Sequence, residues 1–147
     1  MAQQKTIKTS GEVPVNYTLC TKNDCPKAAI CLRYKATQLM PVDVMQWNIL
    51  SPAYLAQIEG ECPHYRTAEK VKYARGFVRM MSALTVKQAH VVKDSIVATF
   101  GMNMYDRMRR GERLITPTEQ EAIYQMLEQQ GVTTRPEFDA YIEDYLW

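Results

Sequence analysis

All four cysteines of this 147-residue chain lie within its first 62 residues, with prolines threaded among them. They stand as Cys20-x4-Cys25-Pro26-x4-Cys31 and, thirty residues on, Cys62-Pro63-His64. Residues 16–65 show little sustained apolar periodicity, so no helical stripe is available to order them. Something else must hold this stretch: a bound metal or cluster, a pair of disulfides, or burial of the thiols as small hydrophobes.

The compartment bears on that choice. The first seventeen residues lack the apolar segment of a secretory signal, and no run of 18 apolar residues occurs anywhere. The expectation is a cytoplasmic protein without a membrane span, where thiols stay reduced and a metal is favoured over disulfides. Zinc takes four sulfur or nitrogen ligands, and Cys20, Cys25, Cys31 and Cys62 supply that number. The Cys20–Cys25 spacing meets the outer limit of a zinc knuckle. An iron–sulfur cluster is the alternative cofactor: proline after a ligand cysteine suits it, as at Cys25-Pro26 and Cys62-Pro63, although the C-x2-C-x2-C run is absent. Buried thiols and thiol redox chemistry complete the alternatives. His64 is a substitute ligand only two residues from Cys62, a cramped spacing for one ion.

Beyond residue 66 the pattern reads as helical. Thr67 is placed to cap a helix carrying Val71, Ala74, Val78, Met81 and Leu84, with Gly76 as its weak point. Thr85 opens a second, striped by Ala89, Val92, Ile96 and Phe100 and stopped by Gly101. A short helix follows over about 103–110. Thr116-Pro117-Thr118-Glu119 is a capping box with proline at the first helical position. Thr134-Arg135-Pro136-Glu137 repeats that logic before Phe138, Tyr141, Ile142, Tyr145 and Leu146, which fall at helical spacing. In the first half, a helix is expected from Pro26 to about Thr37 with Ala29, Ile30 and Tyr34 inward, and a short strand over 41–48.

Charge is unevenly spread. Residues 1–117 hold 17 Lys and Arg against 9 Asp and Glu; residues 118–147 hold one Arg against seven acids. Such a split suits either nucleic-acid binding or an acidic segment that packs on its own domain. The first option has a candidate motif. The helix ending at Phe100-Gly101 and the basic segment after it resemble a helix-turn-helix, in which Asn103, Tyr105, Arg107, Arg109, Arg110 and Arg113 would reach phosphates and base edges. Its register is poor, because Arg107 and Arg110 occupy positions that normally face the core.

Enzyme templates are missing. The six glycines form no phosphate cradle, no carboxylate pair stands in a catalytic context, and neither His64 nor His90 sits in a nucleophile motif. The sequence leans away from an enzyme, and no catalytic residue is assigned.

The chain also resembles a family of short, uncharacterised bacterial proteins with an N-terminal cysteine cluster. The stretches that carry the likeness are the cysteine spacings with Cys31-Leu-Arg, Cys62-Pro-His-Tyr-Arg, Ala74-Arg-Gly-Phe, Tyr105-x-Arg-x-Arg-Arg-Gly-Glu-Arg, Pro117-x-Glu-Gln and Phe138-Asp-Ala-Tyr with Trp147. The resemblance implies shared architecture and no assigned activity.

The reading that results is mainly α: a small helical domain with an irregular, cysteine-clustered N-terminal lobe and room for one short strand or hairpin. Residues 1–15 are expected to be disordered, and 16–147 to form one domain, with 16–65 as the lobe and 66–147 as the helical part. The expected function is a non-catalytic interaction module with a structural zinc site and an unidentified protein partner. The alternatives are a DNA-binding regulator and an iron–sulfur or thiol redox protein.

Overall fold

The structure, a computed structural model, describes residues 12–147. Most of the stretch expected to be disordered, residues 1–15, therefore lies outside the described residues. Two compact units are formed: the chain up to Lys70 together with Asp144–Trp147, and Val71–Glu143.

In the first unit Leu19 pairs in parallel with Ile49; its N–H donates to the Asn48 carbonyl and its own carbonyl accepts from Leu50. The strand expected over 41–48 does not form, and the extended pairing begins at Ile49. The helix expected from Pro26 is divided. A 3-10 turn, Ala28–Ile30, is followed by Cys31 in an extended conformation and then by α1, Leu32–Leu39. The division changes the buried face to Leu32 and Ala36, while Ile30 is exposed. Ser51 caps the short α2, Pro52–Leu55, whose Leu55 is buried.

The remaining elements are β1 (Lys70–Arg75), α3 (Val78–Ser82), α4 (Val86–Phe100), α5 (Met102–Arg109), α6 (Pro117–Gln129) and β2 (Ala140–Tyr145), all of whose residues except Lys70, Asp144 and Tyr145 belong to the second unit. The two strands pair antiparallel. Thr85 and Thr116 close complete capping boxes with Gln88 and Glu119, as their spacing predicts for Thr116. Phe77, Val92, Ile96, Met108, Ile123 and Phe138 form the heart of the core. Withdrawing each such side chain from water contributes about 1.5–3 kcal/mol.

The fold is thus mixed α and β, and the mainly α expectation is corrected at two places. The helix expected after Thr67 is β1, because Lys70-Val-Lys-Tyr alternates with Val71 and Tyr73 turned inward, and Gly76 (φ +72°) breaks any helical continuation. Thr67 itself pairs with Cys31 instead of capping. The helix expected after Thr134 is β2. Arg135 adopts φ +47°, held there by two hydrogen bonds to Glu121 and by stacking on Tyr124, so the chain turns away from a helical start. Tyr141, Ile142 and Tyr145 suit a pleated strand as well as a helix, and pairing with β1 decides between them.

The start of α3 is capped from far along the chain. Phe77 precedes α3 and offers no capping side chain. Asp139 supplies the cap instead: its Oδ2 accepts from the Val78 N–H at 2.8 Å and its Oδ1 from that of Arg79 at 2.9 Å.

Candidate functional site

The four cysteines come from three separate backbone segments and a local turn. Cys20 follows the Leu19 pairing, and its N–H donates to the Arg33 carbonyl. Cys31 leads into α1 and pairs with Thr67, flanked by bonds from Leu32 to Arg66 and from Ala68 to Ile30. Cys62 lies in a turn closed by Tyr65. Cys25 sits in a turn fastened only to neighbours, through Lys22 and Ala28.

Arg33 joins three of these pieces. Its Nε donates to the His64 carbonyl and its Nη1 to the Thr18 carbonyl, each at 2.8 Å. The tied residues stand two positions from Cys62 and Cys20, and Arg33 itself stands two from Cys31. The guanidinium also lies over the Tyr17 ring, 5.2 Å from its centre. Burial raises the Tyr17 phenol above its ordinary range, with Arg33 pulling it the other way.

All four cysteines line one cavity of about 200 Å³ in the first unit. All four are free thiols and partly buried. Leu50, Leu55 and Ile58 supply apolar wall; Lys22, Lys27 and His64 supply polar groups. The Lys27 ammonium sits over the Tyr65 ring and 3.6 Å from Glu61. The His64 Nε2 is 3.1 Å from the Tyr54 hydroxyl.

The donor set is the one zinc prefers, but its placement is not. Among the described residues no group of three or more His, Cys, Asp or Glu is positioned to hold a metal ion. The four cysteines line one cavity, but no assembled coordination site is formed among the described residues.

The residues read as nucleic-acid contacts are distributed differently. Only Gly101 separates α4 from α5, against the three or four residues of a helix-turn-helix turn. Tyr105 is 5% exposed and packs against Phe77 in the core, its phenol raised by burial. Arg113 forms a bidentate pair with Glu119 at 2.8 and 2.9 Å. Arg110 lies 3.4 Å from Glu112, while Asn103 is exposed and Arg107 and Arg109 are partly so. Tyr105 and Arg113 are committed to the fold. The acidic segment is likewise partly answered within its own unit, by Arg113 and Arg135.

A model described as a family of unknown function, DUF6078, matches residues 1–147. The chain belongs to DUF6078. No curated protein and no solved structure matches it. Among the described residues of this DUF6078 chain, no helix is long and apolar enough to cross a membrane. Its most informative site residue beyond the cysteines is Arg33, which the sequence does not single out. No local pattern marks an arginine whose partners are carbonyls 15 and 31 residues away.

Proposed function

We propose that this DUF6078 protein acts through its cysteine-lined cavity, as a non-catalytic module that takes up zinc through Cys20, Cys25, Cys31 and Cys62. The observation that carries the reading is that all four thiols, drawn from across 43 residues of sequence, line the same cavity. No three of them are gathered around a common point, so uptake requires the segments to close. The Cys25 turn, whose backbone bonds among the described residues reach only Lys22 and Ala28, is proposed as the segment that closes. Metal binding would then supply ordering energy to a lobe with a small apolar centre.

Elemental analysis of protein purified anaerobically without chelator, with an absorption spectrum, tests this. The expected result is about one zinc per chain and no visible band. Cys20→Ser should lower both zinc content and Tm. Absence of metal, with a Tm unmoved by added zinc, overturns the proposal. Iron with sulfide and a broad visible band replaces it with the redox reading.

A further inference from the structure

A groove of about 600 Å³ runs along α3, α4 and α5, within the second unit. Its floor is aliphatic: Val78 and Met81 of α3, Leu84 beyond it, and Val86 and Ala89 of α4. Val86 is 89% and Val78 48% exposed, so each leaves apolar area in water that a partner would bury favourably. On α4 the lining positions Val86, Ala89, His90 and Lys93 recur at i, i+3, i+4 and i+7, so the helix turns one face to the groove.

The charges beside this floor are unbalanced. Lys93 and Arg109 line the groove against one carboxylate, Asp106. His90 also lines it, 3.4 Å from Asp94. Arg113 and Arg135 elsewhere in the unit are held by glutamates, but neither Lys93 nor Arg109 forms an ion pair among the described residues. Lys93 is drawn only over the Tyr105 ring, 5.7 Å from its centre.

We propose that this groove docks an acidic amphipathic helix of a partner protein. Apolar side chains at helical spacing would fill the floor, and Asp or Glu on the flank would meet Lys93 and Arg109. A groove walled by helices matches the ridges of another helix, and a flexible methionine in the floor adapts to its side chains. Duplex DNA fits less well: phosphates gain nothing from exposed valines, and two fixed cations release few counterions.

The test uses the full chain and three fluorescent probes read by anisotropy. Two are peptides about five turns long with the same leucine stripe, one flanked by glutamate and one by lysine. The third is a random-sequence DNA duplex. The glutamate peptide should bind saturably and at least about tenfold more tightly than the lysine peptide. Lys93→Glu combined with Arg109→Glu should weaken it about tenfold, as should Val86→Asp. Asp is favourable in the first turn of α4, so Val86→Asp should keep its Tm. Equal binding of the two peptides, absence of saturable binding, or indifference to these variants overturns the proposal. Duplex binding lost in the charge-reversed variant, without peptide binding, replaces it with a nucleic-acid face. Dimerisation abolished by Val86→Asp replaces the partner with a second copy.

Discussion

Arg33 donates from Nε to the His64 carbonyl at 2.8 Å, across 31 residues of sequence. With the matching bond to Thr18, one guanidinium that lines the cysteine cavity ties together the segments carrying Cys20, Cys31 and Cys62. The lobe is therefore organised by a side chain that is not itself a candidate ligand.

Arg33→Ala should destabilise the protein by about 2–4 kcal/mol, since two charge-assisted bonds to carbonyls are lost and those carbonyls are left part-buried. Arg33→Lys should recover only part of this, because an ammonium lacks the planar fork that reaches two acceptors. Urea unfolding measures the loss. Faster modification of the cysteines by a thiol reagent should accompany it, and unchanged thiol reactivity would count against Arg33 as the organiser.

At Gly76 a Cβ would stand 2.7 Å from the Asp139 Oδ2, on a backbone with φ +72°. Gly131 has φ +79° but nothing within 4 Å of such a Cβ. Gly131→Ala should thus cost about 1 kcal/mol from conformation alone, and Gly76→Ala about 2–4 kcal/mol. Equal Tm losses in the two variants would show that the clash is relieved cheaply.

The same geometry predicts a coupling. Asp139→Ala removes both N–H acceptors at α3 and should cost about 1–2 kcal/mol. Because it also removes the atom against which a Gly76 Cβ would press, the double variant should lose about 1 kcal/mol less than the two single losses added. A double-mutant cycle by denaturant unfolding decides it; strict additivity would refute the link.

Glu119 predicts a pH dependence. Burial pushes its carboxyl upward, but the bonds from Arg113 and Thr116 together outweigh this and hold it below the usual carboxylate range. A depressed folded-state value means stability that is present above the unfolded carboxylate range and lost as pH falls through the folded one. Glu119→Gln should therefore destabilise at neutral pH, by about 1 kcal/mol, and flatten the acid limb of the Tm profile. A variant whose acid limb matches the parent's would remove Glu119 from that role.

What could be read from the sequence follows the range of the interactions. α4 and α6 were legible because their signals lie within one continuous stretch: Thr85 starts α4 and Gly101 stops it, and Thr116 with Glu119 three residues on starts α6. β1 and β2 were not. Their apolar residues satisfy periods of 3.6 and 2 over so short a span, and the partner strand that settles the matter lies about seventy residues off. The division of the expected Pro26 helix has the same origin, since Cys31 pairs with Thr67 across the lobe. That all four cysteines fall within residues 20–62 is plain in the sequence; the cavity they line, the carbonyl ties of Arg33 and the groove along α3–α5 arise only when distant segments meet.

The Asp139 cap has a consequence for the order of synthesis. Val78 and Arg79 are made 61 and 60 residues before the carboxylate that receives their N–H groups. At ordinary translation rates that interval is about 3–12 seconds, long compared with helix formation. Throughout it the nascent α3 begins with open amide donors, and β1 has no β2 beside it. A ribosome paused before residue 139 would therefore expose a helix start and a strand edge together, the surface on which chaperones and stray strands act.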